Sequence, residues 1–112
     1  MRFEWDEHKN RLNRRKHSVG FETAALVFDD PYALTQRDSS AEDEERWITV
    51  GAIEPGLILL VVHTFYEERG EEVIRIISAR GAASHERRAY EEAHKDAKRR
   101  HKEASRKKRR RD

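Results

Sequence analysis

Cysteine is missing altogether from this 112-residue chain, and only two prolines and five glycines punctuate it. Without cysteine there is no disulfide scaffold, no thiolate zinc site and no thiol nucleophile. The glycines stand singly at turns, so no phosphate-cradling glycine loop can form, and no Gly-x-Ser-x-Gly elbow is present. Long hydrophobic runs are lacking as well. The longest, "GLILLVV" (Gly56 to Val62), is far too short to cross a bilayer. The N-terminus, "MRFEWDEHKN", is charged with no apolar run behind it. That argues against a secretory signal and predicts a cytoplasmic protein with no membrane partner. These exclusions leave one small domain with room for a single modest core.

Charge is plentiful but unevenly placed. Residues 94–112 hold 11 of the 24 Lys/Arg and 3 of the 22 Asp/Glu, a net of +8, which leaves the other 93 residues at −6. The near-neutral total is therefore an acidic body, 1–93, followed by a basic helical extension or tail, 94–112. Such a tail either contacts nucleic acid or an acidic partner, or is a solvated, frayed terminus.

Hydrophobic patterning predicts an α+β domain. "RFEW" places Phe3 and Trp5 on one face and reads as an edge strand. Asp6 offers an N-cap to "EHKNRLNRRKH", a charged helix whose only aliphatic residue is Leu12 and which stops near Ser18–Gly20. A second helix opens after Gly20, with Phe21, Ala24, Ala25 and Phe28 on one stripe, and Pro31 ends it. "YALTQR" is a short strand, followed by the acidic loop "DSSAEDEE". "RWITVGAI", "GLILLVVHTFYE" and "EEVIRIISAR" are strands rich in β-branched residues, joined at Pro55-Gly56 and around Gly70. "LILLVV" is apolar on both faces, so its strand is central and covered on both sides. A last helix begins near Ser84, which caps it, and carries Ala89, Ala93 and Ala97 on a stripe beside Tyr90. The expected whole is a small antiparallel sheet of about four strands, two N-terminal helices and a C-terminal helix.

Chemistry must then come from charged side chains on the sheet. No His/Asp/Glu cluster has metal-ligand spacing, and no metal or other cofactor is expected. Alternation puts His63 on one face with Leu59, Val61 and Phe65; a lone strand histidine is more often a packed residue than a catalyst. Arg75 interrupts an apolar run, so it must pair with a carboxylate, with Glu45 or Glu67 as the partners expected, or face a cavity or ligand. Arg80 sits at the strand end, open to solvent or substrate. Strict alternation would put Arg75 and Arg80 on opposite faces, so a bulge or strand end is required between them if both serve one site.

The stretches "FEWDEHKNRLNRRKHSVGFETAALVFDDP", "ERWITVG", "LLVVHT" and "IRIISARGAASHERRAYEE", in this order and spacing, resemble the BrnT-like ribonuclease toxins of type II toxin–antitoxin pairs. The resemblance covers Phe3 to about Glu92, and "KHSVGFETA" with "IRIISAR...ER..YE" are its most specific parts. It implies a RelE-like fold, metal-independent RNA cleavage that inhibits translation, and neutralisation by a tightly bound antitoxin. Such antitoxins usually carry a DNA-binding part, so operator DNA would be reached only through the antitoxin. Two features depart from the family pattern: the longer loop "HTFYEERG" and the long basic tail.

On that reading RNA supplies its own nucleophile, the 2′-OH. Arg75 and Arg80 are then expected to stabilise the phosphate and its transition state. His63 or Glu45 is the general base. His17 or Tyr90 donates to the leaving oxygen. Lys9, Lys16, Arg46 and Arg87, with His17, form the RNA-binding set. The competing reading is a non-catalytic module that binds RNA or antitoxin.

Overall fold

The computed structural model describes residues 1–40, 42 and 45–110, the last four of these by backbone alone. Residues 41, 43 and 44 of the acidic loop, and 111–112 of the tail, lie outside the described residues.

Five strands form one sheet in the order β1-β5-β4-β3-β2, with β1 at Arg2–Glu4, β2 at Leu34–Arg37, β3 at Trp47–Glu54, β4 at Leu57–Glu68 and β5 at Glu71–Gly81. β2 to β5 are the expected antiparallel meander. β1 adds a fifth strand that runs parallel to β5, because the chain must cross the whole domain before it returns beside its own start. The hairpin turns carry positive φ where two-residue loops need it: Gly56 at 81° after Pro55, and Arg69 and Gly70 at 53° and 80°. β4 lies at the centre, and Ile58, Leu59, Leu60 and Val61 are all buried, so the doubly apolar run is covered on both faces.

One face is covered by the N-terminal helices. Asp6 caps α1 (Glu7–His17), accepting from the His8 and Lys9 amides at 2.8 and 3.1 Å. Ser18 ends it in the left-handed conformation, φ 60°. Leu12, the one aliphatic residue of α1, is exposed, and the buried positions of the helix are Asn10 and Asn13. The reason is backbone satisfaction. β1 pairs β5 only at residues 73–75, so the edge of β5 beyond it lacks a partner strand. Asn13 fills that gap, donating to the Ala79 carbonyl at 2.8 Å and accepting from its amide at 3.2 Å. Asn10 accepts from the Phe21 amide at 2.8 Å and thereby fixes the start of α2 (Phe21–Ala24).

The expected second helix is broken: α2 gives way to a 3₁₀ turn at Ala25–Asp29. Tightening to three residues per turn adds Val27 to the expected stripe: Phe21, Ala24 and Val27 are fully buried, and Ala25 and Phe28 pack against them half-buried. Val27 then presses on β3 so closely that a Cβ at Gly51 would lie 2.9 Å from Val27 Cγ1. These residues join Leu59, Val61, Ile74, Ile76 and Ala79 in the core.

His63 belongs to that core. It is fully buried, edge-on to Phe28 and Phe65 with ring centroids at 4.9 and 4.8 Å. Nε2 shares a 2.7 Å hydrogen bond with the Thr49 hydroxyl, whereas Nδ1 has no partner among the described residues. Burial pushes its pKa down to about 4, so the folded ring is neutral at pH 7.

The other face is crossed by α3 (Ser84–Arg110), which runs without a break across residues 93 and 94. Ser84 is its first residue rather than its cap. The Ala83 carbonyl accepts from the Arg87 amide at 2.9 Å, and Glu86 reaches back to the Ala83 amide at 2.7 Å. Tyr90, only 4% exposed, donates its hydroxyl to Asp30 at 2.6 Å. The same carboxylate accepts from the Ala52 and Tyr32 amides at 2.8 and 2.9 Å. Burial pushes Asp30 up, but these three donors outweigh it and hold the group below its ordinary range.

Asn13→Ala is expected to leave the Ala79 amide and carbonyl unsatisfied and to cost about 1–3 kcal/mol per buried group. Leu12→Ala should cost less than about 0.5 kcal/mol, as for an exposed position. Urea unfolding of both variants checks the order, and a larger loss at Leu12 would contradict it. His63 supplies a second test. The unfolded chain binds a proton near pH 6.5 that the folded ring refuses until about pH 4. Stability should therefore fall by roughly 3 kcal/mol as pH drops across that interval. His63→Leu should remove this slope, and an unchanged slope would place the titration elsewhere.

Candidate active site

Register decides which side chains share a face, because paired residues on neighbouring strands project to the same side. Arg75 pairs with Thr64, and Arg80 with Leu60. Thr64 and Leu60 are four residues apart on β4, so they and the two arginines face the same way. This agreement depends on a bulge. Val62 pairs with Ser78 and His63 with Ile76, which leaves Ile77 as the extra residue of β5. Ile74, Ile76 and Ala79 consequently all face the N-terminal helices, while Arg75 and Arg80 face away from them.

The arginine-bearing face is only partly covered. It presents Arg2, Glu4, Thr64, Tyr66, Arg75 and Ser78, with Arg80 at the first turn of α3. Arg75 lies 3.6 Å from Glu4, its neighbour on β1, rather than from Glu45 or Glu67. The Tyr66 hydroxyl donates to the same Glu4 carboxylate at 2.8 Å. Arg2 pairs with Glu68 beside them. Arg80 is held more tightly, with two bonds to Glu86 at 2.8 and 3.0 Å. The Arg80 guanidinium holds the Glu86 carboxyl below its usual range, helped by the Ala83 amide.

Among the expected site residues, the structure brings Arg75 and Arg80 to one face. Arg46 immediately precedes β3, and its carbonyl accepts from the Asp38 amide at 2.8 Å, which carries the β2–β3 pairing one residue further. Alternation from Ile48 and Val50 places it on the same side as Thr64 and Arg75. His63 is excluded from this group: it pairs with Ile76 and faces the helices, inside the core. Glu45 is exposed near Arg37 at 3.7 Å, and Arg37 belongs to the row of Trp47 and His63. Tyr90 spends its proton on Asp30, with burial and that carboxylate both raising its pKa. Lys9 and Lys16 are exposed and His17 half-buried on α1, outside the arginine face, and Arg87 is exposed on α3.

Glu4 and Tyr66 escaped the sequence reading. The signal for Tyr66 was present in "HTFYEE", where alternation opposes it to His63. Glu4 had no signal, because its proximity to Arg75 follows from the parallel pairing of β1. His85, at the first turn of α3, is exposed beside Glu86, with Nε2 3.9 Å from its carboxylate. Among the described residues, no three His, Asp or Glu side chains converge as metal ligands would, and no helix is long and apolar enough to cross a membrane.

The fold is similar to that of the Brucella abortus ribonuclease toxin BrnT, seen in a crystal structure. The two superpose with a TM-score of 0.54 at 23% sequence identity, over 75% of this chain and 99% of the other. No curated protein matches the sequence. Residues 5–86 match the profile of the family described as the ribonuclease toxin, BrnT, of type II toxin–antitoxin systems. With all of α1 to β5 inside that match, the chain belongs to the BrnT family of ribonuclease toxins.

Proposed function

We propose that this chain is an endoribonuclease that cleaves RNA on its arginine-bearing sheet face and thereby inhibits translation. The observation that carries the reading is the bulge at Ile77, which sets Arg75 and Arg80 on one face about 13 Å apart along the strand. A short single strand of RNA lying along β5 would cover that distance. Arg75 and Arg80 donate to phosphate oxygens, a role suited to planar guanidinium forks.

The reaction needs no metal to generate a nucleophile. The 2′-OH loses its proton and attacks the adjacent phosphorus, and the bond to the leaving 5′ oxygen breaks as that oxygen gains a proton. A 2′,3′-cyclic phosphate remains. With His63 buried and Glu45 turned elsewhere, the carboxylate positioned as general base is Glu4, which the Tyr66 hydroxyl and Arg75 hold on this face. Arg75 draws the phosphate beside it. Arg46 and the basic extension from residue 94 add phosphate contacts, which raise affinity at low salt.

The family pairs each toxin with a cognate antitoxin. We assign this chain an antitoxin with a DNA-binding part, acting in the cytoplasm, through which alone the complex reaches operator DNA.

Cleavage of a defined RNA by the purified chain tests the assignment. Arg75→Ala should lower kcat by about 10²–10³, and Glu4→Gln by about 10²–10⁴. Tyr90→Phe, which removes only the bond to Asp30, should leave kcat unchanged, as should a chelator. Full activity in both site variants would remove this face from catalysis, and loss on chelation would overturn the metal-free mechanism.

A further inference from the structure

Beside the arginines, the first turns of α3 stand off the sheet and leave a cleft of about 230 Å³. Its floor is a cross-strand row, Leu34 to Val50 to Leu60, and the next residue in that row is Arg80. The cleft therefore lies beside Arg80, which is bonded to Glu86 in its lining. Strand spacing puts its centre about 5–10 Å from the Arg80 backbone. His85 and Ala89 of α3 form the facing wall. Gln36, one residue row away on β2, lines the rim with an exposed side chain.

We propose that this cleft binds one nucleobase of the RNA, that of the nucleotide whose phosphate Arg80 holds. The inference rests on the ribonuclease reading and supplies its missing specificity. Several observations select a base over other occupants. The volume is smaller than the roughly 300–1,000 Å³ of pockets for drug-sized ligands, and suits one planar ring system. Aliphatic side chains on one side and an imidazole on the other offer a base both of its faces, as RNA-binding proteins do with unstacked bases. The Gln36 amide presents a donor and an acceptor side by side, the pairing that reads an adenine edge. Leu34 is 39% exposed, an apolar surface that stacking would cover. Glu86, in the same cleft, already spends its acceptors on Arg80 and Ala83, so Gln36 is the reading group.

Methyl NMR of the full chain, titrated with the four nucleoside 3′-monophosphates and with ribose 5-phosphate, tests this without requiring cleavage. At least one nucleotide should shift the Leu34, Val50, Leu60 and Ala89 methyls, adenosine monophosphate most, while ribose 5-phosphate should leave them still. Shifts confined to the surroundings of Arg80 and common to all five compounds would mean a phosphate site only, and would overturn the base site. A silent cleft that responds instead to the antitoxin would reassign it to protein binding, with the same consequence. In parallel, Gln36→Leu should change the base preferred at a single position of the cleaved RNA, and an unchanged preference would refute the reading role. Nucleotide shifts in a wild-type chain that cuts no RNA would sink the catalytic assignment and leave the base site standing.

Discussion

A single extra residue in β5 sets which side chains share each face of the sheet. A strand that alternates strictly must give every second side chain to each face, and a shift of one position exchanges the faces. Arg75 and Arg80 are five positions apart, so without the bulge one of them would point into the N-terminal helices among Phe21, Val27 and Ile76. An unpaired guanidinium there would cost several kcal/mol. The bulge at Ile77 lets the same strand give Ile74, Ile76 and Ala79 to the core and both arginines to the opposite face. Packing and charge placement are thus reconciled within one strand.

The rest of the architecture supports that strand. β4 shields one edge along its whole length, β1 covers only residues 73–75 of the other, and Asn13 completes the hydrogen bonding at Ala79. α3 is anchored by Tyr90 to Asp30 and begins with Glu86 held by Arg80. The two bonds to Glu86 fix the Arg80 guanidinium at the first turn of α3. Arg75, at 3.6 Å from Glu4, is more loosely paired. Both cations are therefore stored against carboxylates, in keeping with the acidic balance of residues 1–93.

Much of this was legible from local rules. The central strand declared itself by apolar residues on both faces, the hairpins by Pro55-Gly56 and Gly70, and α1 by Asp6. The need for a bulge between Arg75 and Arg80 followed from counting alone. What local rules could not supply were contacts between distant segments. The parallel docking of β1 brings Glu4 to Arg75, and nothing near either residue announces it. Asn10 and Asn13 are buried because backbone groups elsewhere need partners, which the pattern of aliphatic residues in α1 does not show. The 3₁₀ turn follows from the close approach of Val27 to Gly51, a tertiary constraint that overrides helical periodicity. His63 and Tyr90 have chemistry suited to proton transfer, and only burial and partner atoms reveal that they are committed to the fold.

The central claim is that RNA lies on the face shared by Arg75 and Arg80. Backbone amide NMR of the chain with a short RNA whose 2′ oxygens are methylated, and which therefore cannot be cut, tests it most directly. The account predicts that the largest shifts fall on Thr64, Tyr66, Arg75, Ser78 and Arg80, with α1 unaffected. Shifts centred on Lys9 and Lys16, or confined to α3 beyond residue 94, would contradict it.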